Sequence, residues 1–509
     1  MFGGAWAAQL PERISPQTPF PTIVTQAPTL ASVAPGVQEA EYLLWTLDGP
    51  LAIHVVAFDP HRADVRVATV LADDRLVSVG ERVSAMAART GAVAGINGDY
   101  FDINATNAPT NVVVEAGHLL RTPRKRATFV LEPGGSSALT ELSFSGTVQI
   151  GTHDGPLSGI NELPPPGGGI ALITPEFGVL PALPNVTLVA LDTLDGMSPF
   201  ARYRANAIVD NTRPQPQGTY LAIGANAYSA DTIPNPGDVV SASGDLAPLG
   251  LARIAEAIGG GPVLLRAGSW HDDADGPAGA QFARRIPTSG IAVAPDGTIF
   301  LIEVDGRQPD LSIGVTRPQF AALMLALGAV DGMALDGGGS STLVARQPGD
   351  DRASLVNSPS DGVERRVGDA LLVYSDAPTG PATLAVVTPA TLRALVGSST
   401  HLTSSTIDAS GHHILAHADT VAAFAVVPQD LGSIVDGAFV ARRAGRGTLR
   451  VRLGGVSGQA PIVVTDRPAR LVILPNLINL APGGHAHFIA RAYDADGFPL
   501  ALPATIAFP

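Results

Sequence analysis

The apolar residues of this chain come in short runs, each broken by a glycine, a proline or a charge well before the ~20 residues that a bilayer-spanning helix needs. Gly 56 and Pro 43 among 509 residues do most of the breaking. Proline withdraws an amide donor and glycine loosens a helix, so the pattern selects short strands joined by turns over long helices. Few Lys and Glu beside many Val and Thr point the same way. At about 150 residues per domain the length calls for roughly three to four cores. The expected fold class is α+β: a large mixed-sheet domain over residues 35–376, followed by β-sandwich, Ig-like modules.

Lys+Arg 32 against Asp+Glu 46 leaves a net charge of −14, a balance that disfavours a polyanion partner such as nucleic acid. The chain has no cysteine, which excludes disulfides, thiolate nucleophiles and Cys-ligated metals. Residues 1–9, MFGGAWAAQ, have the small-residue character of a signal-cleavage region without a basic start, so they read as a clipped signal or a mobile terminus. Residues 1–34 are expected to be a leader, with Pro/Thr/Ser-rich residues 11–36 extended and ordered structure beginning at Leu51.

From Leu51 the sequence alternates as strands do, turns helical around Gly80 to Thr90, and returns to strand at AVAGIN. Leu163 to Gly169, LPPPGGG, reads as a loop within the same domain. Ala252 to Ile258 and Pro318 to Leu327 are helix candidates, and DALLVYS closes the unit ahead of the linker DAPTGP. Beyond it Val386/Val472, Pro389/Pro475, Gly397/Gly483, Asp408/Asp494 and Gly411/Gly497 all differ by 86. That offset makes residues 382–466 one Ig-like module and 468–509 part of a second.

Four segments can carry chemistry. In ALDGGGSSTLV, Gly337, Gly338 and Gly339 follow a strand and precede Ser340 and Ser341, a composition suited to wrapping an oxyanion or phosphate in backbone N–H groups. It is no Walker loop, because the GxxxxGK[ST] lysine is missing. In GINGDYFD a strand delivers Asn97, Asp99 and Asp102 beside two aromatic rings, a set suited to sugar hydroxyls and C–H faces. In LIEVDGRQ, Glu303 and Asp305 share a strand face, joined by Arg307 if the strand persists, and can divide acid/base work from anion binding. Arg284 and Arg285, ahead of Thr288, are the concentrated positive charge nearby. His271 beside Asp272, Asp273 and Asp275 reads as a solvated loop before it reads as a cation site.

Taken in order, GINGDYFD, AIGGGPVLL, PTSGIAV, LIEVDGR, DGMALDGGGSSTLV and LVNSPSDGVERRVGDALLVY resemble the phosphodiester glycosidase family over roughly residues 35–376. The resemblance implies hydrolysis of a sugar 1-phosphodiester at the sugar C1–O bond. By matching position it implies Asn97, Asp305, Arg307, Asp336, Gly337 to Gly339, Ser340, Ser341 and Asn357 as the site. Together with the residues read above, Asp336, Asp305, Glu303 and Asp99 are the catalytic candidates, and Asn97, Arg284, Arg285, Thr288, Arg307, Gly337 to Gly339, Ser340, Ser341 and Asn357 the substrate and phosphate contacts. The family's usual Arg-Thr is here Pro287-Thr288, and Asp99 stands where the family often has glycine. Two alternatives stay open: a glycoside hydrolase on phosphate-free exopolysaccharide, and a non-catalytic glycan- or wall-binding protein. No cofactor is expected, a divalent cation is left open, and the metal question is undecided. Expected partners are a carbohydrate or sugar phosphate and, through the tail, a surface glycan, with no nucleic acid. The expected location is extracytoplasmic.

Overall fold

A computed structural model describes residues 10–504 apart from 166–167, 226, 228–232, 272–283, 417–419, 475–478, 481–482, 484 and 486. Among these, thirty-eight strands accompany two α-helices, so β structure dominates as the glycine and proline content demanded. No described helix is long and apolar enough to cross a membrane.

The body is built around an eight-stranded sheet. Its spatial order is Ile23–Ala34, Val37–Thr46, Gly49–Phe58, Ile299–Val304, Thr288–Val293, Asp331–Ala334, Val263–Arg266 and Ser269–Trp270. One face packs against the helix Arg317–Ala326 through Leu264, Phe300, Ile302, Phe320 and Leu323. The other face packs through Val56, Leu301, Ile291 and Met333 onto a five-stranded sheet. That sheet runs Ser354–Leu355, Leu343–Ala345, Ala94–Asn97, Asp369–Ser375, Val65–Leu71. Behind it lies the helix Val83–Thr90, held by Val83, Met86 and Ala87 against Val344, Ala370 and Leu372. The result is four layers, helix, sheet, sheet, helix, with every ladder of these two sheets antiparallel. The mixed sheet expected within residues 35–376 lies outside these layers, where Leu157–Ile160 pairs in parallel with Ile170–Leu172 among antiparallel neighbours. A second parallel ladder joins Leu392–Leu395 to Ile462–Thr465.

A further five-stranded sheet, His118–Arg121, Val113–Glu115, Glu256–Gly259, Ala127–Leu131, Ser137–Glu141, leads into a closed seven-stranded barrel between Ser143 and Ala247. The entering and leaving barrel strands pair, with Ser143 opposite Ala247. Barrel residues share a core with Val114, Leu119, Val130 and Ala257 of that sheet.

Three expectations are corrected here. Residues 11–36 are not an extended leader, and order begins before Leu51: Leu10, Ile14 and Phe20 are buried, and Ile23–Ala34 forms an edge strand. The buried Gln26 amide group holds Ile14 at both its N–H and its C=O, so proline-rich composition gave way to a specific tether. Ala252 to Ile258 is not a helix but a 3-10 turn, Leu251–Arg253, followed by the strand Glu256–Gly259, which is paired on both sides. The helix at Pro318 stands, started by a capping box of Thr316 and Gln319. Residues 1–9 lie outside the described residues.

Past the linker, residues 384–465 build three small sheets around their own core, which includes Leu392, Phe439, Leu449 and Ile462. The 86-residue offset recurs in three dimensions. Leu384–Thr388, Thr403–Ile407 and His413–Ile414 make a three-stranded sheet, and Arg470–Leu474, Ile489–Tyr493 and Pro499–Leu500 make another in the same order. Asp408 Oδ1 accepts from the Ser410 and His412 amides, as Asp494 Oδ1 does from Asp496 and Phe498.

Candidate functional site

The ends of strands from both body sheets converge on the loop Asp336–Ser341. Asn97, the last residue of its strand and fully buried, ties the two sheets together. Its Nδ2 donates to the Asp336 carbonyl at 2.8 Å, and its Oδ1 accepts from Ser289 Oγ at 2.8 Å and from the Thr342 amide at 3.0 Å. Asn357 does the same one layer over, donating to Asp305 Oδ1 and the Ser341 carbonyl and accepting from the Leu343 amide. Each asparagine makes three hydrogen bonds inside the protein, and through them it holds the loop in place.

The glycine loop departs from the expected amide cradle. The Gly338 amide donates to the Pro287 carbonyl, and those of Ser340 and Ser341 close a 3-10 turn onto Gly337 and Gly338. What the glycines make room for is positive charge. Gly338 sits at φ +69°, and a Cβ there would lie 3.0 Å from an Arg307 guanidinium nitrogen. A Cβ on Gly339 would fall 2.0 Å from Arg365 Nη2. Arg365 donates to Ser340 Oγ at 3.3 Å and is held from behind by Asp361. Arg307 does not continue the strand, which ends at Val304; it turns through φ +58° toward the glycines. Two guanidiniums thus flank the loop, a stronger anion site than neutral amides.

Asp336 is half-buried at the mouth of this arrangement. Burial pushes its carboxyl up to about 6, against hydrogen bonds from Ser340 and the Gly337 amide and the charge of Arg365. Tyr100, stacked under the Arg126 guanidinium at 4.6 Å and donating to the Gly261 carbonyl, supplies an aromatic wall whose hydroxyl feels Asp336.

The remaining catalytic candidates lie deeper. Asp99, Glu303 and Asp305 are each 1% exposed or less. Asp99 accepts from Thr110 and the Asn111 amide, and Asp369 Oδ1 accepts the Asp99 amide, forming a buried carboxylate pair. Burial, reinforced by Asp99, holds Asp369 well above the usual carboxylate range. Glu303 is likewise held high by burial and by Asp305. Asp305 takes the Ser358 amide at 2.9 Å and His54 Nε2 at 3.3 Å. Arg285 pairs with Asp48 at 2.5 Å. Arg284 is exposed, and Thr288 Oγ1 turns back to the Ile286 carbonyl. Asp272, Asp273 and Asp275 lie outside the described residues.

The sequence profile of the phosphodiester glycosidases matches residues 201–374. A phosphodiester glycosidase domain lies there. The match begins inside the barrel and runs to the last strand of the body, so it includes Asp305, Arg307, the glycine loop and Arg365 but not Asn97 or Asp99. A 91-residue stretch is 37% identical to an uncharacterized SPbeta prophage-derived protein of Bacillus subtilis strain 168, covering 18% of this chain and 13% of that one. Two solved structures share the fold. A candidate exported protein of Burkholderia pseudomallei K96243 is 21% identical at a TM-score of 0.57, over 72% of this chain and all of that one. A hypothetical protein of Synechocystis is 20% identical at 0.55, over 67% of this chain and 62% of that one.

Sequence reasoning about this phosphodiester glycosidase domain missed Arg365, Asp369 and His54, while Tyr100 is one of the two rings read in GINGDYFD. Arg365 carried a signal only as one of the paired arginines of ERR, a pairing that recurs at Arg284-Arg285 and Arg442-Arg443. The others did not: an Asp opening an apolar strand and a His in a strand pattern look like ordinary core residues.

Proposed function

We propose that this protein hydrolyses the C1–O bond of a sugar 1-phosphodiester. The observation that carries the reading is the enclosure of one glycine loop by two arginines and a half-buried aspartate. A phosphodiester leaving group departs as an anion, so a site selects it by placing cationic donors where that charge develops. Arg307 and Arg365 supply them. Asp336, ionised above about pH 6, faces C1 as nucleophile or as base for water, and Ser340 relays between it and Arg365. Tyr100 offers a ring for the sugar's C–H face.

A panel of UDP-sugars, sugar 1-phosphodiesters and phosphate-free oligosaccharides tests the reading. Arg307→Ala and Arg365→Ala are expected to lose turnover on the phosphodiesters. Release of sugar from the phosphate-free substrates alone overturns it. We read the tail as Ig-like modules that keep the enzyme at an extracytoplasmic glycan surface; the supports are the tandem 86-residue unit and the separate core of residues 384–465. Pull-down on whole cells or purified wall glycan, with and without residues 379–509, tests that part.

A further inference from the structure

Behind the glycine loop, the eight-stranded sheet carries a polar row across an apolar face. His54 lies opposite Glu303 on the neighbouring antiparallel strand, and Glu303 lies opposite Ser289 on the next. Asp305 follows two residues along on the same side. His54, Glu303 and Asp305 are 2%, 0% and 1% exposed. One ligand atom from each lies within 4.8 Å of the others.

The hydrogen-bond accounting does not close. Both carboxylate oxygens of Glu303 are buried without a partner, and so is His54 Nδ1. Asn357 Nδ2 is already committed to Asp305 Oδ1 and the Ser341 carbonyl. Two carboxylates and one imidazole sum to a net negative charge even with the imidazole protonated, and buried uncompensated charge is strongly disfavoured. A proton on Glu303 removes the charge but does not supply the partners that its buried oxygens lack. A cation compensates the charge and takes a Glu303 oxygen, together with the His54 Nε2 lone pair and Asp305 Oδ2. Asp305 is pre-positioned for it, because the Ser358 amide and Asn357 fix its carboxylate.

We propose that His54, Glu303 and Asp305 form a binding site for one divalent cation. An imidazole nitrogen with two carboxylates favours Zn2+ or Mn2+ over Mg2+ or Ca2+, which prefer all-oxygen shells. The site lies outside the substrate contacts. Its role is to lock the Asp305–Gly306–Arg307 turn, and with it the Arg307 guanidinium over Gly338.

The test is metal content of the full chain by inductively coupled plasma mass spectrometry, paired with thermal melts after chelation and after return of Zn2+, Mn2+, Mg2+ or Ca2+. About one equivalent of Zn2+ or Mn2+ per chain is expected, with a melting temperature that falls on removal and recovers on return. His54→Ala is expected to lose the metal while keeping its circular dichroism, and His412→Ala, in the tail, to keep it. Three results overturn the proposal: substoichiometric metal with melts indifferent to every cation, metal content unchanged in His54→Ala, or Glu303→Gln melting above the wild type, which identifies a proton in place of the cation. None depends on turnover, so this inference and the proposed reaction fail separately.

Discussion

Asp336 is the carboxylate that the fold leaves half open beside the glycine loop, within reach of the Arg365 charge, and its substitution should be felt in chemistry before stability. Asp336→Asn is expected to lower kcat/KM on a sugar 1-phosphodiester by roughly 10^3-fold or more with an unchanged melt, a loss typical of a group acting in the transition state. Its raised pKa of about 6 means the carboxylate form is depleted below that pH, so kcat/KM should fall on the acid side of about pH 6. A pH–rate profile checks this. Arg365→Lys keeps the charge but loses the fork that reaches both Ser340 and Asp361. It should cost about 1.5–3 kcal/mol of transition-state binding, roughly 10- to 100-fold, on phosphodiesters alone. The motif ALDGGGSSTLV was legible as an anion site, but its mechanism was not. Composition shows that three glycines permit close approach; it does not show whether the visitor is a phosphate or an arginine from residue 307 or 365.

At the scale of elements, buried polar residues act as rivets between layers. Asn97→Ala strands Ser289 Oγ, the Thr342 amide and the Asp336 carbonyl, each worth about 1–3 kcal/mol when left buried and unpaired. Lower stability together with lower kcat is expected from melts and kinetics, because the same bonds hold the loop. Glu115 is a contrary case. Burial, then Asp74 and Glu176, raise it to about 7 against the pull of Arg89. Its folded pKa exceeds the unfolded value near 4.5. The folded state therefore binds the extra proton between those values, and this contribution to stability is lost as pH rises through about 7. Glu115→Gln should melt higher than the wild type at pH 8 and little differently at pH 4.5, as scanning calorimetry at the two values will show. Strands such as TYLAIG, TIFLIEV and DALLVYS announced themselves by apolar β-branched runs between Gly and Asp. Ile23–Ala34 did not, because Pro28 and the prolines before it look like leader composition, and only the distant Gln26 contacts reveal otherwise. Ala252 to Ile258 misled for a related reason: ARIAEAI fits a helix by propensity, and pairing on both edges overrode it.

For the whole molecule, the separation of cores sets what unfolds together. Barrel and body share the sheet that runs from Val113 to Leu131 and on through Glu256–Gly259, with one apolar cluster on the barrel side and another toward the layers. Residues 384–465 close their own core. Two calorimetric transitions are expected, one for body plus barrel and one for the tail, with substrate raising only the first. Few sequence cues foretold the barrel, since its strands read as more of the same domain, whereas the tandem tail was visible from five positions at one spacing. That spacing survives in three dimensions because a single aspartate, Asp408 or Asp494, gathers two amides at a corner and fixes how the next strand departs. Evolution can then rewrite nearly everything between such corners. A survey of related chains should count tail copies by this aspartate-centred signature, where overall identity between copies has already faded.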